Sequence, residues 1–313
     1  MTIEKAPLTS GVRYAPSPTG RLHLGNLRTA WVSERWARSL SIPWVVRFED
    51  IDRPRVISGA REQQTRDMRA LGLEPDVVLV QSRFNERHLS VFENAVRSEQ
   101  VYPCDCSRRE VQAAVSAMAS APHGPGHIYS GRCRTLDPRR TFNAVDSIAW
   151  RFKMPAESGH DDFIVSRSAL ELDGSGLPEP TTFTPAYHWA CAIDDFDGGY
   201  ALLVRSVDLS SAAALQRGIQ TWLASYEGAE PRLPKVFHTT LIVQDDGQRL
   251  EKRTLGVTLD ELFEKGATPA SIVMNFEKSF DRRWLAKGLT FDTAGETNEK
   301  LTLSELELLG TSC

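Results

Sequence analysis

No run in this sequence approaches the roughly 20 consecutive apolar residues that a membrane-spanning helix needs, so no membrane partner is expected. The N-terminus, MTIEKAPLTSGV, lacks the apolar stretch of a signal peptide, and the expected location is the cytoplasm. Excess positive charge is missing too. Lys and Arg total 37 against 41 Asp and Glu, a net charge of −4, so nothing global draws the chain to nucleic acid. An RNA partner would have to be met by a local basic surface. Cysteine is scarce, and five of them, an odd number in 313 residues, do not read as a disulfide framework. There is no internal repeat and no long low-complexity segment. What remains is 41% hydrophobic and 25% charged, with length for one large or two modest globular domains.

The most informative stretch is Arg13 to Ala30, RYAPSPTGRLHLGNLRTA. Val12 to Ala15 is a short extended run. Pro16, Pro18 and Gly20 then deny the chain helical or ladder geometry. After Leu22 the apolar residues fall at helical spacing, with Leu24, Leu27 and Trp31 on one row and Val32, Trp36 and Leu40 on the next. The expectation is strand, loop and helix, with His23 and Asn26 at the helix N-terminus. Such an end, with unpaired N–H groups and positive dipole, suits a phosphate, although an ordinary helix cap has the same appearance.

SPTGxLHLGNxRTA resembles the first signature of class I aminoacyl-tRNA synthetases in its glutamyl form. His23, Leu24, Gly25 and Asn26 occupy the four signature positions, flanked by Ala15, Ser17, Pro18, Thr19, Gly20, Arg28, Thr29 and Ala30. Ile42 to Phe48 reads as a buried parallel strand, ending in Arg47-Phe-Glu49-Asp50-Ile-Asp52. This matches the family's second strand end, where the resemblance makes Glu49 the contact to the substrate amine. Ser82-Arg-Phe-Asn-Glu-Arg-His88 resembles the family's S-x-R-x-x-x-Y, with His88 in place of Tyr.

Helical spacing covers Gly59 to Leu71 and Ser211 to Ser225. Strands are expected at Val77 to Val80, Ile148 to Lys153, Phe163 to Ser166, Cys191 to Ile193 and Val236 to Val243. Thr258-Leu-Asp-Glu261 is a capping-box pattern and Thr268-Pro269 opens another helix.

Cys104, Cys106 and Cys133 have spacing suited to a structural zinc site with one position open, which His123 or His127 could fill. C-x-C followed by Y-x-x-x-C resembles the zinc knob in the acceptor-binding insert of this family. The resemblance implies Zn²⁺ on Cys104, Cys106, Tyr129 and Cys133, with His127 in reserve.

Tyr187 and Arg205 could together hold a carboxylate, Arg bidentately. In order they resemble the family's Y-x-x-A-x-x-x-D-D, ending here in Asp194-Asp195, and R-G-x-D-L, with Ser206 where Gly is usual. Gln248-Arg249-Leu-Glu-Lys252-Arg253 stands where the second class I signature belongs. Lys252 matches its second lysine, Arg249 replaces the first, and Glu251 replaces the usual serine.

The resemblance spans roughly residues 11 to 275. It implies an α/β fold: a Rossmann-like class I synthetase catalytic domain (1–100 and 183–255), a zinc-bearing acceptor insert (101–182) and a short, mainly helical C-terminal part (256–313). It implies activation of glutamate by ATP with Mg²⁺. Arg13, Ala15, Ser17, Glu49, Tyr187 and Arg205 would hold glutamate. His23, Gly25, Asn26, Asp208 and Lys252 would meet ATP, with His23, Lys252 and Arg249 catalytic. With no length for an anticodon-binding domain, the chain resembles the branch that transfers glutamate to the queuosine base of tRNA(Asp). It is expected to act as a monomer.

Overall fold

The structure is a computed structural model. It describes residues 3–106, 110, 129, 131–137, 148–168, 183–243, 245–247, 257–296, 300–303 and 305–306. Arg249, Lys252, Glu251, His123 and His127 lie outside the described residues, as does the turn-rich stretch 172–180.

In chain order the elements begin β1 (Val12–Tyr14), α1 (Leu24–Leu40), β2 (Trp44–Phe48), α2 (Ala60–Ala70), β3 (Val77–Val80) and α3 (Asn85–Arg97). Then come β4 (Val101–Cys104), β5 (Ile148–Phe152), β6 (Phe163–Ser168), β7 (Thr184–Pro185) and α4 (Tyr187–Gly198). They continue with β8 (Leu202–Ser206), α5 (Ala212–Glu227), β9 (Lys235–Thr239) and β10 (Leu241–Val243). The last are α6 (Leu259–Glu264), α7 (Pro269–Lys278), α8 (Arg283–Lys287), β11 (Thr293–Gly295) and β12 (Lys300–Thr302).

The chain divides into two compact units. One comprises Met1–Lys5, Arg83–Asp194 and Ala214–Pro231; the other comprises Ala6–Ser82, Asp195–Ala213 and Arg232–Cys313. The second is built on a six-stranded sheet in the order β11-β9-β8-β1-β2-β3, parallel at every pairing. Strands of such a sheet are covered on both faces, which is why Trp44–Phe48 is buried throughout. Side chains alternate between the faces. Val12, Tyr14, Trp44, Val46, Leu202, Val204 and Phe237 pack in one cluster with Trp31 and Trp36 of α1. Val45, Leu203 and Val236 point to the other face, where they cluster with Tyr200. The other unit carries a four-stranded antiparallel sheet, β4-β5-β6-β7, and an aromatic core in which Phe92 meets Trp150 edge-on at 5.2 Å between ring centroids.

Two expectations change. Cys191 to Ile193 is not a strand but the middle of α4, in the buried run Trp189 to Ile193. Periodicity cannot separate a buried strand from a buried helix in so short an apolar run. The strand expected over 236–243 breaks at Thr240, whose N–H donates to Glu296 Oε2 (2.7 Å) instead of a ladder partner. Beyond it the C-terminal part holds three helices, as a mainly helical segment should, together with two short strands. β11 adds a strand to the main sheet beside β9, and β12 pairs with β10. The helix starts hold: Thr258 and Thr268 both cap through reciprocal capping boxes, and Pro269 opens α7.

Candidate active site

The loop after β1 is strapped by its own carbonyls. Glu49 N–H donates to Pro16 O (3.0 Å) and Ile57 N–H to Pro18 O (3.0 Å). The buried Gln64 amide donates to Ser17 O (3.0 Å) and Gly20 O (2.6 Å). Gly20 sits at φ +133°, a conformation side chains resist. The exposed side chain of Ser17 is thereby held next to the start of α1.

His23 is the N-cap of α1. Its Nδ1 accepts from Gly25 N–H (3.1 Å) and Asn26 N–H (3.4 Å). Because Nδ1 is an acceptor, the neutral ring carries its proton on Nε2 and can donate there. A Cβ on residue 25 would come 3.0 Å from His23 Cε1, so Gly25 leaves the imidazole room to fold over its own helix. Asn26 Oδ1 has no protein partner although buried. Other matched residues are structural. Arg28 is buried against Glu296 and Ser279, and Thr29 Oγ1 meets Thr239 Oγ1 at 2.8 Å.

On the sheet face opposite α1, polar residues gather at the carboxyl ends of the strands, where open α/β sheets bind ligands. Arg205 of β8 is level with His238 of β9. Continuing the β1 register from Tyr14↔Val46 and Arg13↔Leu203 brings Ala15 level with Arg47 on one side and Arg205 on the other. Ala15 is too short to cover the strand end and stays partly exposed between two arginines that are only 0% and 4% exposed.

Arg13 and Arg47 share one anion, Asp195 at the division between the two units. Arg13 donates to it from Nε (3.1 Å) and Nη2 (2.6 Å), and Arg47 from Nη1 (2.7 Å). Arg47 Nη2 also donates to Glu49 Oε1 (3.1 Å). Two cations and two carboxylates thus form one buried, charge-balanced network. Burial alone would raise the Asp195 carboxyl pKa, but the Arg13 and Arg47 guanidiniums override it and hold it below the ordinary carboxylate range. Burial, and next the Arg205 cation, push His238 down to about 4, so the ring is neutral at pH 7. Asp208, in the turn after β8, is exposed.

Asp195 and Arg47 were not among the expected site residues. Their only sequence signal is the Asp-Asp pair and the Arg before Phe-Glu. The preceding Asp194 has a separate job: its Oδ1 lies 2.7 Å from His88 Nε2, both fully buried, so His88 ties α3 to α4. Tyr187, part-exposed at the start of α4, belongs to the same unit as His88, whereas Arg13, Ala15, Ser17, Glu49, Arg205 and Asp208 belong to the other.

The thiols of Cys104, Cys106 and Cys133 lie within 4.8 Å of one another and could hold a metal ion. Cys106 Sγ and Cys133 Sγ are 3.6 Å apart, and Tyr129 Oη is 3.4 Å from Cys104 Sγ. Zinc–sulfur bonds of about 2.3 Å in a tetrahedron put sulfurs about 3.8 Å apart, and a phenolic oxygen about 3.5 Å from sulfur. The donors fit. Arg151 Nε lies 3.2 Å from Cys104 Sγ, with its guanidinium 3.6 Å over the Tyr129 ring, a positive charge placed beside the Cys104 sulfur.

The catalytic-domain family described as tRNA synthetases class I (E and Q) matches residues 10–283. A glutamyl-Q tRNA(Asp) synthetase of Nocardia farcinica is 35% identical over 87% of this chain and 86% of its own length. One of Deinococcus radiodurans is 34% identical, over 83% and 85%. The fold is that of a glutamate tRNA ligase of Elizabethkingia meningosepticum (TM-score 0.67, 19% identity), which matches 96% of this chain and 68% of that one. The chain therefore belongs to the class I tRNA synthetases of the glutamate and glutamine branch, and it is a ligase of that family.

Proposed function

We propose that this protein activates glutamate with ATP and transfers it to the queuosine base of tRNA(Asp). The observation that carries this is the similarity, over most of both chains, to proteins named glutamyl-Q tRNA(Asp) synthetase. In the first step a glutamate carboxylate oxygen attacks the α-phosphorus of ATP and pyrophosphate leaves, giving glutamyl-adenylate. No protein side chain need bond covalently to the substrate. Positioning and charge stabilisation carry the step.

The residues take these roles. Arg205 and Tyr187 hold the side-chain carboxylate, and Arg13 adds Nη1, which Asp195 leaves unused. Glu49, anchored by Arg47, takes the ammonium group. Ala15 and Ser17 shape the end of β1. His23 donates from Nε2 to a phosphate at the start of α1, with Gly25 and Asn26 beside it. Asp208 meets the nucleotide, and Lys252 and Arg249 add positive charge to the phosphates. Mg²⁺ accompanies ATP, held mainly by phosphates and water. The catalytic domain covers 1–100 and 183–255, interrupted by the acceptor insert at 101–182. The protein works in the cytoplasm as a monomer.

Purified protein with labelled glutamate and queuosine-bearing tRNA(Asp) is expected to put the label on an anticodon-loop fragment after nuclease digestion. Label found only on the terminal adenosine would overturn the queuosine assignment.

Cys104, Cys106, Tyr129 and Cys133 would hold a structural Zn²⁺ that staples β4 to the segment around Cys133. Elemental analysis is expected to give one zinc per chain, and Cys133→Ser to lose it together with several degrees of thermal stability. Metal-free protein whose three thiols react freely with a thiol reagent, at unchanged melting temperature, would rule the site out.

A further inference from the structure

Gln64 of α2 has no part in the roles given above, yet its fully buried amide sits against the loop that carries several of them. Its Nε2 donates to two carbonyls of that loop, Ser17 O (3.0 Å) and Gly20 O (2.6 Å). Among the described residues no group reaches its Oε1. The orientation of the amide follows, because turned over its oxygen would face two acceptors. A side chain kept here for bulk would be apolar, since methionine fills a similar volume without burying a bare carbonyl oxygen. What glutamine adds is the pair of donors.

The loop has a physical need for them. Pro16 and Pro18 bring carbonyls but no N–H, so the stretch after β1 has more acceptors than donors. The backbone meets part of that need. Glu49 N–H serves Pro16 O and Ile57 N–H serves Pro18 O, each at 3.0 Å, and Thr19 N–H folds back on Ser17 O at 2.8 Å. Gly20, at φ +133°, then carries the chain out of the turn toward His23. Gln64 closes the turn by holding Ser17 O and Gly20 O to one nitrogen. Its neighbour Gln63, by contrast, uses its amide inside α2, on Asp67 Oδ1 (2.7 Å).

We propose that Gln64 is a positioning residue that fixes the spacing of the glutamate and ATP sites: by holding Ser17 O and Gly20 O to one buried nitrogen, it sets how far Ser17 stands from His23. This rests on the assignment of Ser17 to glutamate and of His23 to ATP. Ser17 is the glutamate end of the loop, and Gly20, just before Arg21, Leu22 and His23, is its ATP end. Either substrate alone uses one end, so the amide matters when both are used at once, as the glutamate carboxylate approaches the α-phosphorus. An error of about 1 Å in such a spacing costs on the order of a hundredfold in rate.

Two substitutions test this. Gln64→Met removes both donors and keeps the length and the helix preference of glutamine. Gln64→Asn keeps the donors on a stem one carbon shorter, which from the same helix position does not span both carbonyls. The backbone bonds from Glu49 and Ile57 remain in both, so the loop keeps its other anchors. Thermal melting gives the temperature below which each variant is fully folded, and the other measurements are made there. They are glutamate-dependent pyrophosphate exchange, with glutamate and ATP varied in turn, and calorimetric binding of a sulfamoyl analogue of glutamyl-adenylate, which reaches both ends of the loop.

Gln64→Met is expected to lower kcat roughly 10- to 100-fold, with KM for glutamate and for ATP each within about threefold of wild type. The analogue should bind about tenfold more weakly, the scale of one lost hydrogen bond. Gln64→Asn should fall between Gln64→Met and wild type, and it carries the test alone if Gln64→Met does not fold. Unchanged kcat and analogue affinity in folded variants, at whatever melting temperature, would make Gln64 a structural strap only and overturn the proposal. A loss confined to the KM of one substrate would overturn it as well, since Gln64 would then serve one site rather than the spacing of two. Wild-type protein that neither exchanges pyrophosphate with glutamate nor binds the analogue would instead sink the assignments of Ser17 and His23.

Discussion

Replacing Asp195 with alanine is expected to cost about 3–5 kcal/mol of folding stability, the penalty for leaving buried charge uncompensated. Arg13 and Arg47 both lean on this one carboxylate, through three hydrogen bonds of 2.6 to 3.1 Å, and all three side chains are buried. Removing it takes away the carboxylate that both buried guanidiniums share. Urea denaturation at pH 7 measures the loss, and a change under 1 kcal/mol would show that solvent reaches the network. The pH dependence has a definite sign. The folded carboxyl titrates below its unfolded value of about 3.9, so its stabilisation is complete above that value and disappears as pH falls through the folded one. Wild type should therefore lose stability in the acid range below about pH 4 more steeply than Asp195→Asn. The same substitution should also depress glutamate-dependent exchange, because the group that aims Arg13 is gone.

Local pattern carried most of the fold. The rows of α1 and the run Trp44 to Phe48 announced an amphipathic helix followed by a buried parallel strand, and both are present. The capping boxes at Thr258 and Thr268 needed only side-chain spacing to be read. Non-local partners were hidden. Nothing near Asp195 in sequence says that it lies against Arg13, 182 positions away. Nothing near Thr240 says that Glu296 will take its N–H and split a strand. β11 is three residues, Thr-Ala-Gly, too short and too weak in strand preference to be seen before β9 is in place beside it. The sequence motifs named Arg13 and Glu49 as candidates, whereas the groups that pack against them, Asp195 and Arg47, became visible only once the sheet brought them together.

Arg205→Ala is expected to lower kcat/KM for glutamate by roughly 30- to 5000-fold, the scale of about 2–5 kcal/mol for truncating one partner of a buried charge pair. The argument is electrostatic and local. Arg205 is 4% exposed on a sheet face that already holds Arg13 and Arg47. Those two are already engaged by Asp195 and Glu49, and Arg205 is the further cation on that face. Glutamine, which brings no charge, should lose far less in the variant, because it never drew on that attraction. The measurement is therefore a ratio: exchange driven by glutamate against exchange driven by glutamine, before and after the substitution. Collapse of the ratio toward one, with KM for ATP moving little, identifies Arg205 as the group that reads the side-chain charge. An unchanged ratio would move that reading to another residue and leave Arg205 as a strand-end cation serving the sheet alone.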